Sequence, residues 1–65
     1  MKNNPRFEWY VVRNHNGEIK ILGGYAYKED ADWIAFTKSE NYKVDVFAHR
    51  LLCDQLDPNK DENWV

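Results

Sequence analysis

Cysteine is scarce in this chain of 65 residues, which contains Cys53 and no other. A lone thiol cannot form an internal disulfide, whereas small secreted domains of this length usually depend on several. We therefore expect a reducing, cytoplasmic location. The first residues lead into no apolar signal region and no apolar run approaches the length of a membrane span, so we expect neither a targeting signal nor a membrane-spanning segment.

Positive charge is also in short supply. The net charge is −2, which speaks against a general nucleic-acid binder because such proteins usually carry a basic surplus. Residues 1–28 carry five basic and two acidic side chains, a net charge of +3, whereas residues 29–65 carry four basic and nine acidic ones, a net charge of −5. The simplest interpretation is a solvated surface that keeps a small domain soluble.

The side chains that usually carry catalysis or bind metals form no recognisable pattern. The two histidines, His15 and His49, have no recurring zinc-ligand spacing with Cys53. Thr37 and Ser39 fall on a predicted helix or at its end, where nothing indicates a neighbouring base. The carboxylates cluster in the helix start and near the C-terminus, a distribution typical of capping and solubility. The sequence therefore predicts a protein that is not an enzyme and uses neither cofactor nor metal.

What the sequence does contain is a strong β-hairpin signal. Two runs rich in β-branched and aromatic residues, 7–13 and 18–27, flank a polar segment that ends in the Asn-Gly pair at 16–17. The other glycines form a pair at 23–24, which indicates a bulge, a bend or a close approach inside the second strand. A phosphate-binding loop would need further glycines and a helix immediately after them.

Two registers of the hairpin are compatible with its turn. A two-residue loop would pair Val11 with Leu22 and mix apolar with charged residues across the sheet. A three-residue loop at 15–17, with its glycine in the left-handed bulge position, pairs Val11 with Ile21 and sorts the faces better. We predict this second register, in which Trp9 lies opposite the glycine pair. One face then holds Phe7, Trp9, Val11, Ile19, Ile21, Tyr25 and Tyr27, and the other holds Glu8, Tyr10, Val12, Glu18, Lys20 and Leu22.

From Lys28 the pattern changes to that of a helix, with acidic residues in or near the first turn. At helical spacing a stripe through Ala31 and Ile34 can lie close to the sheet. Trp33 and Phe36 lie away from this stripe. They either wrap around the edge of a small core or form an exposed anchor for a protein partner.

Alternating residues over 42–48 predict a third strand, so the element order is ββαβ. We expect a small single-domain α+β fold, with a three-stranded, mainly antiparallel sheet and one helix packed on one face. The third strand is placed beside the first and antiparallel to it, in strand order 2-1-3, with pairing to the second strand as the alternative. Residues 48–56 fit either strand or helix, and we favour a strand to about His49 followed by a short helical turn.

Residues 58–65 are polar apart from their end, and the sequence predicts a polar C-terminal tail attached to a single domain of residues 1–57. Trp64 is the exception in this tail, and it either folds back onto the domain or docks on a partner. A domain of this size must bury nearly every large apolar side chain, so spare aromatic residues indicate a partner.

Two binding functions remain. The first is a protein-binding module, which contacts a larger protein or forms a homodimer through the open sheet face or an edge strand. The second is a single-stranded nucleic-acid binder that stacks bases on Tyr10 and Phe47. The acidic balance favours the first. The predicted partner-binding residues are Trp33, Phe36, Tyr10, Val12, Leu22, Phe47 and Trp64. The basic residues available to the second function are Lys20, Lys43, Arg13 and Arg50.

The hairpin is followed by a helix start, Tyr-Lys-Glu-Asp-Ala at 27–31, and by a strand, Tyr-Lys-Val-Asp-Val at 42–46. In this build the chain resembles several very small phage-encoded proteins that bind and inhibit host enzymes. The likeness spans residues 7–49. It implies a cytoplasmic accessory protein that works by contact with a larger host protein, and it assigns no binding residue.

Overall fold

The computed structural model describes residues 7–65. They contain three strands, one main helix and two short helices. In chain order they are β1 (Trp9–His15), β2 (Glu18–Tyr25), α1 (Lys28–Lys38), β3 (Lys43–Ala48), α2 (His49–Cys53) and a 3-10 helix (Asp61–Asn63). The sheet has the order β2-β1-β3, and β1 is antiparallel to both neighbours. The predicted α+β class, ββαβ order and strand order are confirmed. None of the helices within residues 7–65 has the length and apolar character needed to cross a membrane.

The hairpin turns through Asn16 and Gly17 alone. Their φ angles are 55° and 84°, and a two-residue type I′ loop requires such left-handed values at both central positions. His15 consequently pairs with Glu18, so the predicted three-residue loop is wrong. The reason is that asparagine, unlike most residues, enters the left-handed region readily, so this pair fills both positions of the tighter turn.

An extra residue in β2 shifts the hairpin register part-way along the strands. Val12 pairs with Ile21, but Val11 pairs with Gly23, so Leu22 is left as a bulge. Residues directly opposite on antiparallel strands share a face of the sheet. Ile21 therefore lies on the same face as Val12, and its predicted place on the face of Val11 is wrong.

Each glycine of the pair in β2 lies against an aromatic ring, Gly23 against that of Tyr25 and Gly24 against that of Phe7. A Cβ built on Gly24 would lie 2.6 Å from Cγ of Phe7, so any side chain at this position would displace the ring. Trp9, which was expected opposite the glycines, pairs with Tyr25 instead. Glycine at this position thus allows the ring to lie directly against the strand.

The helix α1 covers the face of the sheet that carries Trp9. The ammonium of Lys28 lies 5.9 Å from the centroid of the Trp9 ring and forms an ion pair with Asp32 at 2.9 Å. Ala31, from the predicted stripe, is fully buried, and its small side chain lets the helix approach the sheet closely. The helix begins at Lys28 as predicted, with acidic residues in its first turn that complement the helix dipole.

The main buried cluster lies on the opposite face of the sheet. It consists of Tyr10, Val12, Ile21 and Leu52, and each of these side chains is at most 2% exposed. The half-buried apolar residues around it are Phe7, Phe47, Leu56 and Trp64. This face was predicted to be open, and that prediction is wrong, because α2 and the chain that follows it cover the face. A chain of this size has too little apolar area to leave such a surface in water.

The C-terminal segment, residues 54–65, adds a contact along the outer edge of β2. Trp64 forms an isolated parallel bridge with Ile21, and the Val65 N–H donates to the Ile21 carbonyl at 2.9 Å. The indole N–H of Trp64 donates to the carbonyl of Pro58 at 2.7 Å. Of the two alternatives for Trp64, folding back onto the domain is the one observed. Residues 58–65, which the sequence sets apart as a polar tail, therefore contact the sheet.

Candidate functional site

Two exposed aromatic residues, Trp33 and Phe36, lie side by side on α1, and we call them the aromatic pair. Trp33 is 62% exposed and Phe36 is 70% exposed. Their rings are stacked, with centroids 6.0 Å apart and an interplanar angle of 25°. Trp33 follows the buried Ala31 by two residues, a rotation of about 200° around the helix axis, which places its ring on the side facing solvent. The alternative in which these rings wrap around the core does not hold.

The charged groups beside the aromatic pair are mainly carboxylates. Glu29 lies one helical turn before the tryptophan of the pair, and Glu40 lies four residues after the phenylalanine. Both, like Asp30, are exposed and form no ion pair with another described residue. Within α1 the ion pair joins Lys28 to Asp32. The aromatic pair is therefore bordered by carboxylates that are not neutralised.

The other predicted partner-binding residues lie elsewhere. Tyr10 has no exposed area and Val12 is 2% exposed, so the prediction that they project from an open face is wrong. Phe47 and Trp64 pack, partly buried, against the same cluster, and Leu22 is half-buried at the bulge. A buried Tyr10 cannot stack on a base, so the nucleic-acid alternative loses one of the two aromatic residues it named.

The aromatic pair differs from the other exposed apolar side chains of residues 7–65, because its two large rings contact each other. The others lie on separate elements and are Ile19, Tyr27, Leu51 and Val65.

No family model, no curated protein and no solved structure matches this chain. On the exposure and stacking of its rings, the candidate interaction surface consists of Trp33 and Phe36 with the carboxylates of Glu29 and Glu40.

A hydrogen-bond network that no sequence pattern indicated runs from the buried Tyr10 hydroxyl to the exposed Cys53. The Phe7 N–H donates to the Tyr10 oxygen at 3.0 Å, and the hydroxyl lies 3.2 Å from Nδ1 of His49. On the other side of the imidazole, Nε2 lies 3.6 Å from Sγ of Cys53. The spacing of four residues between His49 and Cys53 was the available signal, but nothing local connects either residue to Tyr10.

One set of proton positions satisfies every member of this network. Because the Tyr10 oxygen accepts the Phe7 N–H, its own hydrogen can go to Nδ1 of His49, which leaves the ring proton on Nε2 and directed at the sulfur. His49 thus connects the buried face of the sheet to the exposed Cys53. Within residues 7–65 no group of three or more His, Cys, Asp or Glu side chains is arranged to hold a metal ion.

Replacing His49 with alanine should lower the free energy of unfolding by about 1 to 3 kcal/mol, the range for a buried group that loses its hydrogen-bond partner. The hydroxyl of Tyr10 is fully buried and would be left without its acceptor. Urea unfolding followed by circular dichroism measures the loss. In a Tyr10→Phe background the same His49→Ala change should cost less, because the hydroxyl is already gone. Equal costs in the two backgrounds would show that the hydrogen bond contributes nothing.

Proposed function

We propose that this protein is a small, non-enzymatic protein-binding module that contacts a larger protein through the aromatic pair on α1. The observation that carries the proposal is the exposure of a stacked tryptophan and phenylalanine, 62% and 70%, in a domain with little apolar area to spare. Tryptophan is enriched among the residues that dominate binding energy in protein interfaces. A partner that covers these rings would remove apolar surface that folding leaves in water.

The surroundings of the three tryptophans support the choice of Trp33. Trp9 is half-buried and has the Lys28 ammonium over its ring, and Trp64 is half-buried with its indole N–H bonded to Pro58. The only ring or hydrogen-bond contact of the Trp33 side chain with another described residue is the stacking with Phe36. Stacking holds the two rings in one arrangement, which lowers the entropy lost when a partner orders them.

The proposed role is to modulate or inhibit a larger host protein in the cytoplasm, as an accessory protein of a phage or mobile element. The support for this role is the resemblance in build of residues 7–49 to small phage-encoded inhibitors. The cytoplasmic location is supported by the exposed, free thiol of Cys53, which an oxidising compartment would readily modify.

Replacing Trp33 with alanine should weaken binding to the partner by at least about 2 kcal/mol, or roughly 30-fold, as expected for an interface hot spot. The stability of the domain should change by no more than about 0.5 kcal/mol, because an exposed side chain with one stacking neighbour contributes little to folding. The measurements are affinity capture from a lysate of the source cell, identification of the captured protein by mass spectrometry, titration of that protein, and urea unfolding.

The matched control is Tyr27→Ala, which removes another exposed aromatic ring, 66% exposed, from the residue that precedes α1. We expect Tyr27→Ala to keep the captured protein and Phe36→Ala to lose it along with Trp33→Ala. The proposal fails if all three variants capture the same protein equally well. It also fails if Trp33→Ala unfolds the domain, since the ring would then be part of the core.

A further inference from the structure

We infer that the aromatic pair and the carboxylates beside it bind an arginine-bearing segment of the partner, with a guanidinium stacked on Trp33 and paired with Glu29. This inference rests on the proposed function and names the chemistry of the partner. Its basis is charge complementarity, since Glu29, one helical turn before Trp33, and Glu40, just after the end of α1, are exposed and form no ion pair with another described residue.

The cations of α1 do not neutralise this surface. Lys28 is held by Asp32 at 2.9 Å and lies over the Trp9 ring on the sheet side of the helix. Lys38 follows Phe36 by two residues, about 200° around the axis, so it points away from the pair.

The chain already contains two contacts of the kind inferred here. The guanidinium of Arg13 lies 5.7 Å from the centroid of the Tyr42 ring, and the Lys28 ammonium lies 5.9 Å from that of Trp9. Trp33 is the most exposed of the tryptophans described and has no cation over its ring within residues 7–65. Tryptophan is the side chain that binds cations best in this way.

Arginine fits the surface better than lysine does. A guanidinium is planar, so it can stack on an aromatic ring while its N–H groups donate to a carboxylate in the same plane. An ammonium is a compact, strongly hydrated charge that loses more hydration in the same position. A phosphate-bearing partner is disfavoured, because its charge would be repelled by Glu29, Asp30 and Glu40.

The test is a titration of the full chain, labelled with ¹⁵N, with a blocked peptide of alternating arginine and leucine. The indole N–H signals of the three tryptophans report on separate places in the fold. We expect the Trp33 signal to shift and the Trp64 signal, whose N–H is bonded to Pro58, to stay in place. A lysine version of the peptide should bind more weakly, and a glutamate version should cause no shift.

Substitutions of carboxylates then test whether the arginine peptide pairs with Glu29. Glu29→Gln should weaken binding of the arginine peptide about 2- to 5-fold, the effect of losing one exposed ion pair, and added salt should weaken it further. The matched control is Asp45→Asn, which removes one charge from an exposed position on β3 and should leave the affinity unchanged. Equal effects of the two substitutions, or equal binding of the arginine and glutamate peptides, would overturn the inference.

The outcomes separate this inference from the proposed function. If Trp33→Ala abolishes capture of the partner but the arginine peptide leaves the Trp33 signal unmoved, the inference fails and the protein-binding function stands. If Trp33→Ala leaves capture unchanged, the proposed function fails whatever the peptides do. A Trp33 signal that shifts with protein concentration alone would assign the surface to a second copy of this chain and overturn the arginine partner.

Discussion

Replacing Leu52 with alanine should lower the free energy of unfolding by about 2 to 5 kcal/mol, the range for a large aliphatic side chain removed from a core. Leu52 is 1% exposed and belongs to the main buried cluster with Tyr10, Val12 and Ile21. A chain of this size has a total stability of roughly 3 to 10 kcal/mol. The variant should therefore be partly or wholly unfolded at room temperature, as measured by circular dichroism and urea titration.

The control for this prediction is the preceding residue of the same helix. Leu51 is 54% exposed, so Leu51→Ala removes the same atoms from the same short helix, α2, without opening a cavity. It should change stability by no more than about 0.5 kcal/mol. Similar losses for Leu51→Ala and Leu52→Ala would mean that α2 does not pack on the sheet through Leu52.

Replacing Trp64 with alanine should cost about 2 to 4 kcal/mol, somewhat below the range for a fully buried tryptophan because this ring is half-buried. The ring contacts Tyr10 edge-on at 6.2 Å between centroids. Its indole N–H also links two parts of the C-terminal segment by donating to the Pro58 carbonyl at 2.7 Å. Without the ring we expect residues 58–65 to leave the sheet, which hydrogen exchange of the Val65 and Ile21 amides and urea unfolding would detect.

Two further variants separate the contributions of the ring, its hydrogen bond and the neighbouring Val65 side chain to this loss of stability. Trp64→Phe keeps an aromatic ring but loses the hydrogen bond to Pro58, so it should cost about 1 to 2 kcal/mol, from the net value of one hydrogen bond and the smaller buried ring. Val65→Ala changes a side chain that is 72% exposed and keeps the backbone bond to Ile21, so it should have almost no effect. A Trp64→Ala variant as stable as Val65→Ala would show that the C-terminal segment contributes nothing to the fold.

The covering of one sheet face by Leu52 and Trp64 also limits which surface a partner could contact. Leu52 and Trp64 cover the face of the sheet that carries Tyr10 and Val12, which the sequence had suggested as an open surface. With that face closed, no partner can reach Tyr10 without displacing the C-terminal segment. The aromatic pair on α1, which stays exposed, is the surface that the proposed function uses.

The candidate site was predictable from the sequence in part. The helical spacing of Trp33 and Phe36 relative to Ala31 is a local property of α1, so the pattern placed them off the stripe that faces the sheet. Whether the rings wrap around the core or stay exposed was left open by the sequence, and the structure shows them exposed. The roles of Tyr10 and Val12 were not predictable in this way. Their exposure depends on what covers the second face of the sheet, and that cover comes from residues 49–65, far along the chain.

Local signals by themselves determined the ββαβ order, the start of α1 at Lys28 and the place of the hairpin near Asn16-Gly17, although the predicted length of its loop was wrong. Each of these depends on residues close together in sequence, through dipole, turn and periodicity effects. The place of Ile21 opposite Val12 follows from the two-residue turn, whereas only the tertiary structure decided the bulge at Leu22. A single inserted residue reverses the face of every residue after it, and which side gains burial depends on distant partners such as Leu52 and Trp64.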